Sequence, residues 1–119
     1  MDEFVFEIWH NPRCSKSRQA LALLEERGVH PHVVRYLDQP PSQKRLDEVL
    51  KLLDMEPLEL MRTKEARFGE LGLGDADIGR AALIRAMADN PILIERPVVI
   101  AGDRAVLARP PERTLELLR

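Results

Sequence analysis

The feature that most limits what this chain can fold into is the order in which its hydrophobic period changes. Phe4-Val5-Phe6-Glu7-Ile8-Trp9-His10 is rich in β-branched and aromatic residues and predicts a strand. Asn11-Pro12 ends it, because that dipeptide favours a turn. From about Cys14 to Arg27 the period becomes helical, with Ala20, Leu21, Leu23 and Leu24 as apolar positions and Gly28 as the C-terminal stop. His32 to Leu37, carrying Val33, Val34, Tyr36 and Leu37, predicts a second short strand, which Gln39-Pro40-Pro41 breaks.

The middle of the chain is helical in pattern. Ser42 suits an N-cap. Leu46, Val49, Leu50 and Leu53 come next, at the spacing of one buried helical stripe. Pro57 opens a further piece over Leu58 to Arg62. Residues 63–78 are polar and carry Gly69, Gly72 and Gly74, which predicts a loop with room for one turn. A helix near 79–89 presents Leu83, Ala86 and Met87 on one face and closes at Asn90-Pro91. Pro97 to Ala101 then predicts a strand, Gly102-Asp103 a tight turn, and Ala105 to Ala108 the partner strand. Pro111 suits the first position of a last helix, with Leu115 and Leu118 on its apolar face.

The order is therefore β-α-β, a helical middle, and β-β-α. Two parallel strands joined by a helix form a right-handed crossover. A hairpin and a closing helix complete a mixed four-stranded sheet flanked by helices. This α/β layout is thioredoxin-like, with the middle stretch as a helical insertion. Without internal repeats, low-complexity tracts or a linker, residues 1–119 are expected to form a single domain.

Composition narrows the function classes. The 119 residues are 45% hydrophobic, which suffices for a core without covalent staples. One cysteine, Cys14, excludes a disulfide framework. Eighteen basic residues nearly cancel 20 acidic ones, which argues against a strongly basic nucleic-acid binder. No apolar run approaches a membrane span, and the acidic start Met1-Asp2-Glu3 lacks the basic region of a signal peptide. The expectation is a soluble cytoplasmic protein without membrane or nucleic-acid partners, whose lone thiol stays reduced.

Cys14 falls where strand turns into helix. The N–H groups of a first helical turn lack intrahelical partners and carry partial positive charge, so they favour a thiolate and any anion beside it. Arg13, Lys16 and Arg18 add cations within four positions, and His10 could donate to the sulfur. The prediction is a reactive, anionic sulfur beside an anion pocket. The stretch reads Cys14-Ser15-Lys16-Ser17, so the second sulfur of a Cys-x-x-Cys dithiol is missing and disulfide chemistry must borrow a thiol. A Cys-x5-Arg phosphate loop would need arginine where Ala20 stands. Of the remaining metal-ligand types near Cys14, His30 and His32 fall about 20 Å away, past a helix rising 1.5 Å per residue, so no metal site is expected.

Trp9-His10-Asn11-Pro12-Arg13-Cys14-Ser15-Lys16-Ser17-Arg18 resembles the His-Asn-Pro-x-Cys-x-x-Ser-Arg signature of the glutaredoxin-linked arsenate reductase family. Pro91-Ile92-Leu93-Ile94-Glu95-Arg96-Pro97 resembles its Pro-Ile-Leu-Ile-x-Arg-Pro segment. Leu60-Met61-Arg62 and Glu70-Leu71-Gly72-Leu73 are similar to its central part, and Leu107-Ala108-Arg109-Pro110-Pro111 to its end. The resemblance spans nearly the whole chain in order; some better-known members continue with a tail past the position of Arg119. It implies a thioredoxin-like fold with Cys14 as nucleophile and His10, Ser17 and Arg18 supporting the thiolate. It also implies Arg62, Arg96 and Arg109 as oxyanion ligands and Pro97 as a cis proline facing the cysteine.

The implied reaction is reduction of arsenate to arsenite through a covalent adduct on Cys14. Glutathione serves as co-substrate and glutaredoxin as partner, with no bound cofactor. Two other functions fit parts of the sequence. A regulator of the Spx type would bind RNA polymerase, although such proteins usually carry Cys-x-x-Cys at this turn. A glutathione-dependent thiol oxidoreductase would use the same single thiol without acting on arsenate.

Overall fold

Phe6–Trp9 forms β1, an inner strand with a partner on each side. The structure, a computed structural model, describes residues 6–118, so Phe4 and Val5 of the expected first strand lie outside the described residues. β1 leads into α1 (Ser15–Glu26), which returns the chain to β2 (His32–Val34), parallel to β1. β3 (Val98–Ala101) lies antiparallel on the other side of β1, and β4 (Arg104–Leu107) lies antiparallel beside β3. The sheet order is β2-β1-β3-β4, the mixed four-stranded, thioredoxin-like sheet that the element order predicts.

α1 stops where the sequence says it should, and the stop has a clear geometry. Gly28 adopts φ +78, a region that costs a side-chain-bearing residue but not glycine. Its N–H donates to Glu25 O, and the Val29 N–H donates to Leu24 O, so two orphan carbonyls at the helix end are satisfied. Leu24 itself is fully buried, with Ala20, Ile8, Val99, Ala101, Val106 and Leu117, in the core beneath one face of the sheet. Burying such a side chain stabilises the fold by about 1.5–3 kcal/mol. Gly102, at φ +61, occupies the first position of the two-residue β3–β4 loop, where a glycine is wanted.

Residues 111–118 form a 3-10 helix rather than the expected α-helix. With three residues per turn, positions i, i+3 and i+6 share a face. Pro111, Thr114 and Leu117 are accordingly the buried ones, and Leu115 and Leu118 are only half-buried. β2 is also shorter than His32 to Leu37. Its partner β1 ends at Trp9, which pairs with Val34, and the His10 N–H makes the last bond to Val34 O. With no partner left, residues 35–39 turn, with the N–H groups of Asp38 and Gln39 both donating to Arg35 O.

The chain divides into two compact units: Met1–Gln39 with Arg96–Arg119, which contains the sheet, and Pro40–Glu95. The second unit is the helical middle: α2 (Gln43–Leu53), α3 (Pro57–Leu60), α4 (Ala66–Glu70), α5 (Arg80–Asp89) and a 3-10 turn over Pro91–Leu93. The turn allowed for in 63–78 is α4. Leu46, Val49 and Leu50 are buried and Leu53 half-buried; on α5 the buried set is Leu83, Ile84 and Met87, with Ala86 half-buried. α3 ends before Arg62 because Met61 pairs with Ile94 as an antiparallel bridge, which takes the backbone out of the helix. Among the described residues no helix is long and apolar enough to cross a membrane.

Ser42 caps α2: its Oγ accepts the Arg45 N–H at 3.0 Å. Ser42→Ala is expected to lower stability by about 1 kcal/mol through loss of that cap, read as a lower urea midpoint with an unchanged slope.

Candidate active site

The Asn11-Pro12-Arg13 turn delivers the chain from β1 to α1, and Asn11 organises it. Its backbone oxygen accepts the Cys14 N–H at 3.0 Å, and its side-chain Oδ1 accepts the Arg13 N–H at 3.0 Å. An asparagine that bonds the backbone two residues on is a local turn former, so the sequence carries a signal for this role of Asn11. Arg18 ties the turn from the helix side, donating from Nη1 to Pro12 O at 2.8 Å. Arg13, Lys16 and Arg18 are all exposed.

Cys14 is the N-cap of α1, extended at φ −99, ψ 122, and half-buried. It makes no conventional side-chain cap bond. Burial alone pushes its thiol pKa up. The Ser17 N–H, the Arg96 guanidinium and the Lys16 N–H are directed at the sulfur and outweigh burial, so the pKa falls below the ordinary thiol value. Arg96 precedes Pro97 through a cis peptide bond, and Arg109 precedes Pro110 through another. Arg109 is exposed and donates from Nη1 to Arg96 O at 2.9 Å, which ties the two arginine-proline segments together.

His10 lies one bond further back. Its Nδ1 is 2.6 Å from Ser17 Oγ, and that oxygen also accepts the Asn11 N–H at 3.0 Å. Ser17 and His10 are both buried. The imidazole is therefore linked to the sulfur through Ser17, whose own N–H faces it. Burial, then the nearby Arg35 and Arg18 charges, lower the His10 pKa against an opposing pull from Glu25. Burial and those charges thus disfavour the charged imidazole, and the groups that favour the thiolate are Arg96 and the N–H groups at the helix start.

Cys14, His10, Ser17, Arg18, Arg96, Pro97 and Arg109 thus belong to one compact unit. Arg62 belongs to the other, half-buried just past α3, with Nη2 3.3 Å from Glu65 and Nη1 3.3 Å from Glu95. Of these two carboxylates only Glu65, three positions on, is near Arg62 in the sequence. Glu95 is 33 positions away, and only folding pairs the two. Among the described residues no three His, Cys, Asp or Glu side chains gather as a metal-holding group. Chemically, the first unit offers a thiol whose ionised form is favoured by N–H groups and a guanidinium.

This geometry has two measurable consequences. Iodoacetamide alkylation of Cys14 should have its pH midpoint below that of the same cysteine in the unfolded chain, and Arg96→Gln should move that midpoint upward. For His10, the unfolded chain takes up a proton near 6.5 while the native imidazole does so only at lower pH. Stability should therefore be constant above that value and fall as pH drops toward the native pKa. Urea midpoints measured between about pH 7.5 and 5 should decline less for His10→Gln.

Comparison with known proteins identifies the family of the chain. Residues 9–117 match the model of the ArsC family. The chain is 51% identical over 113 residues to the uncharacterized protein YfgD of Escherichia coli (strain K12), covering 94% of this chain and 95% of that protein. It is 48% identical over 107 residues to an arsenate reductase of Neisseria meningitidis serogroup A, covering 89% and 92% respectively. The solved structure of an arsenate reductase from Vibrio cholerae matches with a TM-score of 0.94 at 44% identity, over 98% of this chain and 99% of that one. With its thioredoxin-like sheet, its cysteine at the start of the first helix and a match that spans nearly its full length, this chain belongs to the ArsC family.

Proposed function

We propose that this protein is an oxidoreductase that reduces arsenate to arsenite at Cys14, with glutathione as co-substrate and glutaredoxin as partner. The observation that carries the reading is the Cys14 sulfur at the head of α1 with the Arg96 guanidinium on it, in a chain whose relatives include proteins named arsenate reductase. Arsenate resembles phosphate in shape and charge, and guanidinium forks suit such tetrahedral oxyanions. On this reading Arg96 and Arg109 take the oxyanion from the first unit. The part of Arg62 rests on the Leu60-Met61-Arg62 motif.

The Cys14 thiolate attacks arsenic, and one arsenate oxygen leaves as water, forming a Cys14–As(V) bond. Glutathione condenses at arsenic with loss of a second water. A further thiol, from glutaredoxin or glutathione, attacks the glutathione sulfur. The S–As bond breaks, its electron pair stays on arsenic as As(III), and the two thiols leave as a disulfide. Water then hydrolyses the Cys14–As bond, releasing arsenite and restoring the thiolate. In sum, arsenate and two thiols give arsenite, one disulfide and one water. The absence of a second cysteine in the chain fits a scheme in which the other sulfurs come from outside. A reduced lone thiol also fits the cytoplasm.

The test is arsenate-dependent NADPH oxidation coupled through glutathione, glutaredoxin and glutathione reductase. Turnover is expected, and Cys14→Ser should abolish it, because an alcohol is far less ionised than a thiol. Exchange with glutathione disulfide but no arsenate-dependent rate would replace this reading with a general thiol oxidoreductase. Capture of RNA polymerase subunits without turnover would replace it with the Spx-type regulator.

A further inference from the structure

Two cations beside Cys14 are matched to no carboxylate of the fold. Arg13 directly precedes Cys14, and Lys16 stands in the first turn of α1. Both side chains are exposed, and among the described residues neither makes an ion pair, in contrast to Arg67, Arg80 and Arg113. The backbone that carries them is nonetheless fixed. The Arg13 N–H donates to Asn11 Oδ1 at 3.0 Å, and the Lys16 N–H is directed at the sulfur. Arg18 reaches back to the same turn, its Nη1 donating to Pro12 O at 2.8 Å. The guanidinium that favours the thiolate is that of Arg96, so the Arg13 and Lys16 charges are left over from that task.

These charges are also set against the helix they begin. A helix start is already positive and a helix end negative, so carboxylates suit the first turn and cations the last. α1 has no acidic residue in its first turn and no basic residue in its last. It starts with Lys16 and Arg18 and ends with Glu25 and Glu26. Both ends work against the dipole, and an anion from outside the chain would relieve the start. Cys14 says what that anion carries. It is the only cysteine of the chain, so any disulfide it forms takes its second sulfur from another molecule. A small thiol with net negative charge meets the sulfur and the cations together.

We propose that Arg13 and Lys16 are specificity-determining residues that select a small anionic thiol, such as glutathione, over neutral and cationic thiols at Cys14. The inference rests on the part of the proposed reaction in which a sulfur is borrowed, and not on arsenate. Both cations are exposed, so they act on the approach of the anionic molecule to the sulfur, and their effect weakens with salt.

The test is thiol–disulfide exchange, which needs no arsenate. The Cys14 thiolate attacks one sulfur of a small disulfide, the new S–S bond forms as the old one breaks, and the other half leaves as a thiolate. Appearance of the mixed disulfide is followed by mass spectrometry for glutathione disulfide (net negative), 2-hydroxyethyl disulfide (neutral) and cystamine (positive). Each rate is divided by that of thioglycerol with the same disulfide, which removes the reactivity of the disulfide itself. Rates are then taken relative to the neutral disulfide on the same variant, which removes changes in Cys14 ionisation. At low salt the wild type should prefer the anionic over the cationic disulfide by about ten-fold. The preference should shrink at about 0.15 M salt, where the Debye length is near 8 Å. Arg13→Gln and Lys16→Gln should each cut it about two-fold, and together about four-fold, as expected for exposed charges. Arg27→Gln, exposed at the far end of α1, should leave it unchanged. If the wild type shows no preference, anion selection falls. If the preference persists in the double variant, or drops as far in Arg27→Gln, the assignment to Arg13 and Lys16 falls. A preference lost in the double variant, with no arsenate-dependent rate in the coupled assay, supports the selection and places the failure in the proposed reaction.

Discussion

The site depends on the unpaired N–H groups at the start of α1. Every α-helix leaves its first N–H groups without intrahelical partners, and a side-chain oxygen at the N-cap commonly takes one of them. Here the N-cap is Cys14, and the Ser17 and Lys16 N–H groups face its sulfur. Helix formation and thiolate formation are therefore coupled: the orphan donors of the helix favour the ionised state of the sulfur. The Asn11 turn fixes where the helix begins, and so fixes where those donors point.

Charge is distributed sparingly around that sulfur. His10 is buried and bonds Ser17, and burial disfavours its charged form. Arg96 adds the cation, and Arg109 holds the Arg96 carbonyl. Elsewhere arginines are bound to carboxylates, as in Arg80 with Asp47 and Arg67 with Glu70. An arginine-rich sequence thus does not make an arginine-rich anion site. Which guanidinium groups are committed to protein carboxylates is a property of the fold.

Much of the site was legible in order along the chain. The strand-to-helix change at Cys14, the absent second cysteine and the proline after Arg96 are local features, and local features survive translation into structure. The His10–Ser17 bond was less legible, because seven positions separate the two and their meeting depends on the turn between them. The environment of Arg62 was legible only as far as Glu65, three positions on. Its partner Glu95 arrives through a ladder that the helical period of α3 does not announce.

The sequence by itself determined the element order, the cap at Ser42, the glycine stop at Gly28 and the cysteine at a helix start, because each is set by a few neighbouring residues and their backbone preferences. Only the tertiary structure decided that β2 ends at Val34, that residues 111–118 wind with period three, and that His10 is buried against Ser17 where its charged form is disfavoured. Those outcomes depend on a strand having a partner, on how a closing helix packs, and on burial among distant charges. They are set by neighbours in space, which a linear pattern does not contain.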